Sequence, residues 1–285
     1  MKFGYFSSGN LGYECLMRLD KIPELIFTDR QSIDIQRFAE SHGIPIFIGK
    51  PDKKLATEFL NDFEIDIILS VNYIFLLTKE IFNYPKNGSI NLHGSLLPKY
   101  RGRTPHVWAI INGESITGVT AHFIDDGCDT GDIILQHKVP ILDTDTGQDI
   151  LEKYKSVYPI LIRDVLVKLE SGEVNRETQN NSNATFYGKR IPEDGIINWN
   201  NESINIYNWV RAQSTPYPGA FSYYNGNKVI IDWVKTSNYH GKEIPGTILS
   251  IRPLMVKTGD GAIIIEKIRK NTMTKFTTNS IFQNE

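Results

Sequence analysis

The sequence predicts a two-part chain. An α/β half, built on a parallel sheet with helices on both faces, precedes a small β barrel or barrel-like sheet. Three observations predict it. Short apolar runs alternate with helical patterns through the first half of the chain. The stretch SGEVNRETQNNSNATFY, residues 171–187, carries few apolar residues and reads as a connection. Beyond residue 200, short strands parted by glycine turns replace the helices.

Each element has a local reason. Lys2–Phe6 is a strand leading through Gly9-Asn10-Leu11-Gly12 into a short helix ending at Leu19, and Glu24–Phe27 is a second strand. Ser32 is placed to cap a helix that runs to Ser41, where Gly43 stops it. Pro45–Ile48 is short and apolar, Lys53–Phe63 is helical, and Ile65–Ser70 is a buried strand. Ser89–His93 is another strand, and Pro105–Asn112 a helix with proline in its first turn. Gly118–Ile124 and Ile133–Ile141 are strands around an acidic loop. Ile150, Tyr154, Val157, Leu161 and Val165 fall at helical spacing in a long helix, with Pro159 as its kink point. Asn201–Gln213 is a helix, and Asn225-Gly226 between Phe221–Tyr224 and Lys228–Val234 signals a hairpin. Thr247–Ile251, Leu254–Lys257 and Ala262–Ile268 add strands, and 271–285 read as frayed. The expected division is 1–187 and 188–285.

Composition narrows the function. The 285 residues are 40% hydrophobic and 22% charged, which supports a sizeable core. A net charge of −2 leaves no strongly basic nucleic-acid footprint. Cys15 and Cys128 alone make neither a disulfide framework nor a cysteine-only metal site. MKFGYFSSGN lacks the apolar run of a signal peptide, and no segment approaches the roughly 20 apolar residues of a membrane span. A cytoplasmic protein without membrane insertion is the expectation. SSGNLG is not a dinucleotide fingerprint, and the P-loop, G-x-S-x-G and H-E-x-x-H patterns do not occur.

Two stretches carry chemistry. In SINLHGSLLPKYRGR, Asn91 and His93 lie two apart in a strand and so share a face. An amide beside an imidazole at a strand's carboxyl end can polarise a carbonyl oxygen and move a proton. In DDGCDTGD, a calcium loop fails because Gly127 and Thr130 stand where a ligand and a glycine are required. Asp125, Asp126 and Asp132 read as a solvated turn, while Asp129 is placed to lie against His93 and raise its pKa. Lys99, Arg101 and Arg103 form a basic run suited to a phosphate or carboxylate. His106, His122 and His137 read as structural, and zinc is not expected.

SINLHGSLLPKYRGRTPHVWAIINGESITGVTAHFIDDGCDTGDII resembles the core signature of the 10-formyltetrahydrofolate-dependent formyltransferases. YGKRIPEDGIINW, VRAQSTPYPGAFSY and the PGTILS…GDGAIII region extend the likeness over nearly the whole chain. The resemblance is to the sugar N-formyltransferases in particular, among them the formyltransferase half of the bifunctional enzyme that acts on UDP-4-amino-4-deoxy-arabinose. It implies a Rossmann-like catalytic domain over 1–187 and a C-terminal domain over 188–285 related to the oligonucleotide-binding (OB) barrel. It also implies direct transfer from 10-formyltetrahydrofolate, a co-substrate, with no metal. Asn91 and His93 would stabilise the oxyanion, His93 would also take part in proton transfer, and Asp129 would hold and tune His93 and accept the amine proton, directly or through water. The pterin would sit against Phe75, Leu76 and Leu77 and the loop of Asp125, Asp126, Gly127, Cys128 and Asp129. Arg103 and Lys99 would face the nucleotide-linked amino sugar.

The preferred substrate is dTDP-4-amino-4,6-dideoxyglucose, then a UDP-4-amino sugar, for O-antigen or surface-glycan biosynthesis. The family allows a homodimer. Methionyl-tRNA formyltransferase shares the signature, but its basic insertion is missing after Phe27-Thr28-Asp29-Arg30. A non-catalytic folate- or nucleotide-sugar-binding relative is the other alternative, disfavoured by retention of Asn91, His93 and Asp129 together. An oligonucleotide binder would use Tyr217, Tyr223, Tyr224 and Trp233, which read instead as barrel core or an oligomer contact.

Overall fold

The computed structural model describes residues 1–269 and 275–283. It divides into two compact units. The first holds 1–105, 117–140 and 151–187; the second holds 106–116, 141–150 and 188–285.

The first unit is built on a seven-stranded sheet. Its strands are β1 (Phe3–Ser7), β2 (Leu25–Thr28), β3 (Ile46–Ile48), β4 (Ile67–Val71), β5 (Ser89–His93), β7 (Ile116–Phe123) and β8 (Ile133–Pro140), in the order β3-β2-β1-β4-β5-β7-β8. The first five pair in parallel. Strands β1, β2 and β4 are buried at every residue, as expected where helices cover both faces. Helices α1 (Gly9–Leu16), α2 (Ile33–Ser41), α3 (Lys53–Leu60) and α4 (Lys79–Phe82) fall between these strands in the chain. Asp52 caps α3 by accepting from the backbone N–H groups of Lys54 and Leu55. Aromatic packing fills one side, where Phe6 stacks on Phe27 with centroids 4.1 Å apart.

The sheet is mixed rather than parallel throughout. Strand β7 runs antiparallel to β5, pairing Asn91 with His122 and His93 with Thr120. Parallel strands need a crossover that returns the chain along the sheet. The 94–115 segment between β5 and β7, with its one helix α5 (Pro105–Ile111), instead brings the chain back antiparallel. Helix α6 (Gly147–Ser171) takes in Pro159 without a break in its helical assignment.

The polar stretch before residue 188 is more than a connection. Glu177 bridges Ile133, and β9 (Phe186–Tyr187) pairs in parallel with β6 (Arg101–Gly102). Gly102 needs to be glycine here. Its φ is +99°, and a Cβ would lie 2.2 Å from the Tyr187 carbonyl oxygen.

The second unit contains α7 (Ser203–Ala212) and an antiparallel sheet of β10 (Ala220–Tyr224), β11 (Asn227–Ser237), β12 (Ile248–Ile251), β13 (Leu254–Lys257) and β14 (Ala262–Ile268). The order is β10-β11-β14-β13-β12. Asn225 and Gly226 both take positive φ, the turn chemistry that a two-residue hairpin requires. Residues 279–283 then close the ring. Tyr223 and Gln283 exchange backbone hydrogen bonds on one side, while Phe282 donates to Gly246 and Ile248 donates to Ser280 on the other. The expectation of a frayed end is corrected for 275–283; residues 271–274, 284 and 285 lie outside the described residues. Burial of Phe282 against Trp199 and Tyr224 is what holds this last strand.

Candidate active site

The site forms in the first unit, at the carboxyl end of β5. Strand alternation turns Asn91 and His93 to one face, and each has partners that define its hydrogen positions. Asn91 Oδ1 accepts from Ser70 Oγ at 3.0 Å, and its Nδ2 lies 3.2 Å from His122 Nε2. His122 Nδ1 lies 2.8 Å from the Phe123 carbonyl, which can only accept. His122 therefore carries its proton on Nδ1, and Nε2 accepts from Asn91. One amide hydrogen of Asn91 is committed by this contact, leaving the other for a developing oxyanion.

His93 is fixed in the opposite tautomer. Its Nε2 lies 2.7 Å from the Tyr100 carbonyl and must donate to it. Its Nδ1 then carries a lone pair that faces Asp129 Oδ2 at 3.6 Å. Proton uptake at Nδ1 would place an imidazolium directly beside that carboxylate. Asp129 is held by the Gly102 N–H at 2.8 Å, and its second oxygen lies 3.6 Å from His122.

These placements set the electrostatics. Burial holds His93 below its usual 6.5, opposed by Asp129 and by the Tyr100 hydrogen bond. The expected contact with Asp129 is present, but the expected net rise is corrected, because desolvation of the imidazolium outweighs the carboxylate. Burial alone would raise Asp129; the positive charge of the neighbouring imidazoles in their protonated form, His93 first, and the Gly102 N–H hold it well below the usual carboxylate range. Tyr100, Thr104 and Asp129 all take positive φ, an arrangement costing on the order of 1–3 kcal/mol per residue and typical of constrained sites.

Other expected residues divide clearly. Arg101 is corrected from part of a basic run suited to a phosphate or carboxylate to a core residue, 1% exposed. Its guanidinium donates to Gln179 and Asn181 and lies over the Phe186 ring. Arg103 is exposed and reaches the Ile74 carbonyl at 3.3 Å, and Lys99 is exposed on the same loop. Leu76 is 82% exposed, Phe75 lies edge-on to Tyr73, and Leu77 packs on the inner aromatic cluster. Asp125 accepts from Gly127 N–H and Thr130 Oγ1, and Asp126 pairs with Lys79 at 2.6 Å. Burial and Asp129 push the Cys128 thiol up, so it remains protonated rather than nucleophilic. His137 pairs with Asp164 at 3.3 Å. Within the second unit His106 Nε2 lies 2.8 Å from the Tyr217 hydroxyl.

His122 and Gln179 escape the sequence reading. His122 looks structural until the antiparallel register sets it opposite Asn91. Gln179 lies in a polar stretch without periodicity, yet its amide donates to the carbonyls of Asp129 and Gly131.

An amide, an imidazole and a carboxylate at the open edge of a Rossmann-like sheet, followed by a small β domain, describe a formyltransferase. The chain belongs to the formyl transferase family: the formyl transferase model matches residues 31–166 and the model of the family's C-terminal domain matches 189–285. Among curated proteins it is 36% identical over 269 residues to the bifunctional polymyxin resistance protein ArnA of Wigglesworthia glossinidia brevipalpis, covering 89% of this chain. The chain spans 40% of that relative's length. Among solved structures it is similar to WlaRD, described as a sugar 3N-formyl transferase in the presence of dTDP and 5-N-formyl-THF, with TM-score 0.71 and 22% identity over 95% of this chain and 99% of that one. It is also similar to the N-formyltransferase of Helicobacter canadensis in complex with folinic acid and dTDP-3-aminofucose, with TM-score 0.72 and 23% identity over 94% of this chain and 100% of that one. At these identities the two structures bear on the fold.

Proposed function

We propose that this chain transfers a formyl group from 10-formyltetrahydrofolate to the amino group of a nucleotide-linked amino-deoxy sugar. The observation that carries the reading is the convergence of Asn91, His93 and Asp129 with their hydrogen positions set by Ser70, His122, Tyr100 and Gly102. In this reading Asn91 donates its uncommitted amide hydrogen to the oxyanion formed as the amine attacks the formyl carbon. His93 Nδ1 takes the amine proton and Asp129 stabilises the resulting imidazolium; collapse of the oxyanion then breaks the formyl carbon–N10 bond, and the proton passes to N10 as tetrahydrofolate leaves. Buried and neutral, with its Nδ1 lone pair beside Asp129, His93 suits a base at neutral pH.

The residues present fit a folate donor. Exposed Ile74 and Leu76 give an apolar surface, and the buried Tyr73 hydroxyl beside them has no hydrogen-bond partner among the described residues. Phe75, Leu76, Leu77 and the 125–129 loop are the proposed donor seat, while Arg103 and Lys99 are proposed to meet the nucleotide's phosphates. The donor supplies the activated carbonyl; the chain supplies orientation, hydrogen bonds and a proton acceptor.

For the acceptor, the sequence resemblance to the enzyme acting on UDP-4-amino-4-deoxy-arabinose supports a 4-amino sugar, and the two dTDP-associated structures support a dTDP carrier with a 3-amino sugar as the competing position. dTDP-4-amino-4,6-dideoxyglucose is the proposed substrate, with UDP-4-amino sugars next, in surface-glycan biosynthesis.

The test mixes the protein and 10-formyltetrahydrofolate with dTDP-, UDP- and GDP-amino sugars and methionyl-tRNA, read by mass spectrometry. One formyl group added to one sugar nucleotide supports the reading and names the substrate. Formylation of methionyl-tRNA alone overturns it.

A further inference from the structure

We infer that His122 is a positioning residue for the transfer: its Nε2, 3.2 Å from Asn91 Nδ2, holds the Asn91 amide with its second hydrogen free for the reacting oxygen. The inference rests on the proposed formyl transfer and deepens it.

The argument is one of hydrogen-bond accounting. An asparagine amide at a strand end can take two orientations, and only one of them presents N–H to the substrate. Two neighbours decide here. Ser70 Oγ donates to Oδ1 at 3.0 Å, and His122 Nε2 accepts from Nδ2 at 3.2 Å. The Ser70 hydroxyl can rotate and serve either orientation, since it both donates and accepts. His122 differs, because its Nδ1 proton is committed to the Phe123 carbonyl at 2.8 Å, and in the neutral ring Nε2 is then an acceptor alone. The neutral imidazole is therefore the discriminating partner.

The fold makes this contact rigid. His122 is 3% exposed, and the β5–β7 ladder pairs it directly with Asn91. Buried polar groups fully satisfied in this way resist reorientation. Asp129 Oδ1 lies 3.6 Å from the same Nε2.

The test compares His122→Leu, His122→Gln and Ser70→Ala in the full chain, each checked for an unchanged circular dichroism spectrum. His122→Leu should lower kcat by about 10–100-fold, the scale of a misplaced reacting group, with KM for donor and acceptor nearly unchanged. His122→Gln, which returns an acceptor oxygen near Nε2, should recover most of that loss. In an Asn91→Ala background, His122→Leu should cost almost nothing further. Equal loss in Leu and Gln variants, or losses that multiply with Asn91→Ala, overturns the inference. Imidazole nitrogen NMR gives a reading free of turnover: His122 should show a protonated Nδ1, and Asn91→Ala should shift Nε2. If the wild-type chain formylates no amino sugar, the proposed function fails while this spectrum still judges the arrangement; an unmoved Nε2 sinks the inference alone.

Discussion

Arg101 Nη2 donates to Gln179 Oε1 at 2.6 Å, and the amide nitrogen of that same Gln179 donates to the Asp129 and Gly131 carbonyls. A buried cation is thereby tied, through one neutral side chain, to the backbone that presents the site carboxylate. No carboxylate pairs directly with Arg101 among the described residues, so Gln179 and Asn181 carry its solvation. Replacing Gln179 by Leu strands the guanidinium and two carbonyls together. The expected cost is about 3–5 kcal/mol, read as a lower urea midpoint, with loss of formyl transfer. A Gln179→Leu variant as stable as wild type would show that the network is dispensable.

Asn91 and His93 should separate in kinetics. Asn91→Ala should lose about 10²–10³ in kcat, the usual worth of an oxyanion donor. His93→Ala should lose about 10²–10⁴, the usual worth of general base catalysis. Single-turnover rates at saturating donor measure both. Near-full activity in His93→Ala would remove proton transfer at Nδ1 from the mechanism.

The pH profile carries a sign. Burial lowers the His93 pKa and Asp129 opposes it, so the acid limb of kcat should lie below pH 6.5. Asp129→Asn removes the opposing charge. Whatever activity remains should show its acid limb at still lower pH. A limb that moves upward would mean that Asp129 does not act on His93 electrostatically.

Stability should also respond to pH through His106. Burial pushes its pKa from the usual 6.5 down to about 4. Above pH 6.5 neither the folded nor the unfolded state binds this proton, and there is no effect. Between pH 6.5 and 4 the unfolded state binds it and the folded state does not, so stability falls with pH by up to about 3 kcal/mol. His106→Phe should flatten that window in urea titrations taken from pH 7 to 4. An unchanged slope would place the acid sensitivity elsewhere.

The last strand should matter energetically. Phe282 is 3% exposed and packs on Trp199, Tyr224 and Phe276. Phe282→Ala should cost about 3–5 kcal/mol in the second unit, read as a lower midpoint in urea unfolding. A cost near zero would mean that the ring closure by 279–283 contributes little.

Local patterns made much of this protein legible. Two-residue alternation in Ser89–His93 sets Asn91 and His93 on one face, and Asn225-Gly226 announces the hairpin. The signature around HGSLLPKYRGR and DDGCDTGD was enough to name the family, which the family models bear out. Tertiary structure decided the rest. The antiparallel register of β7 makes His122 a site residue, the return of 177–187 buries Arg101 under Gln179, and 279–283 complete the small barrel. Periodicity and turn chemistry act within a few residues and are written along the chain. Register, burial of a charge and the sign of a pKa shift depend on which distant segments meet, and no local pattern encodes that meeting.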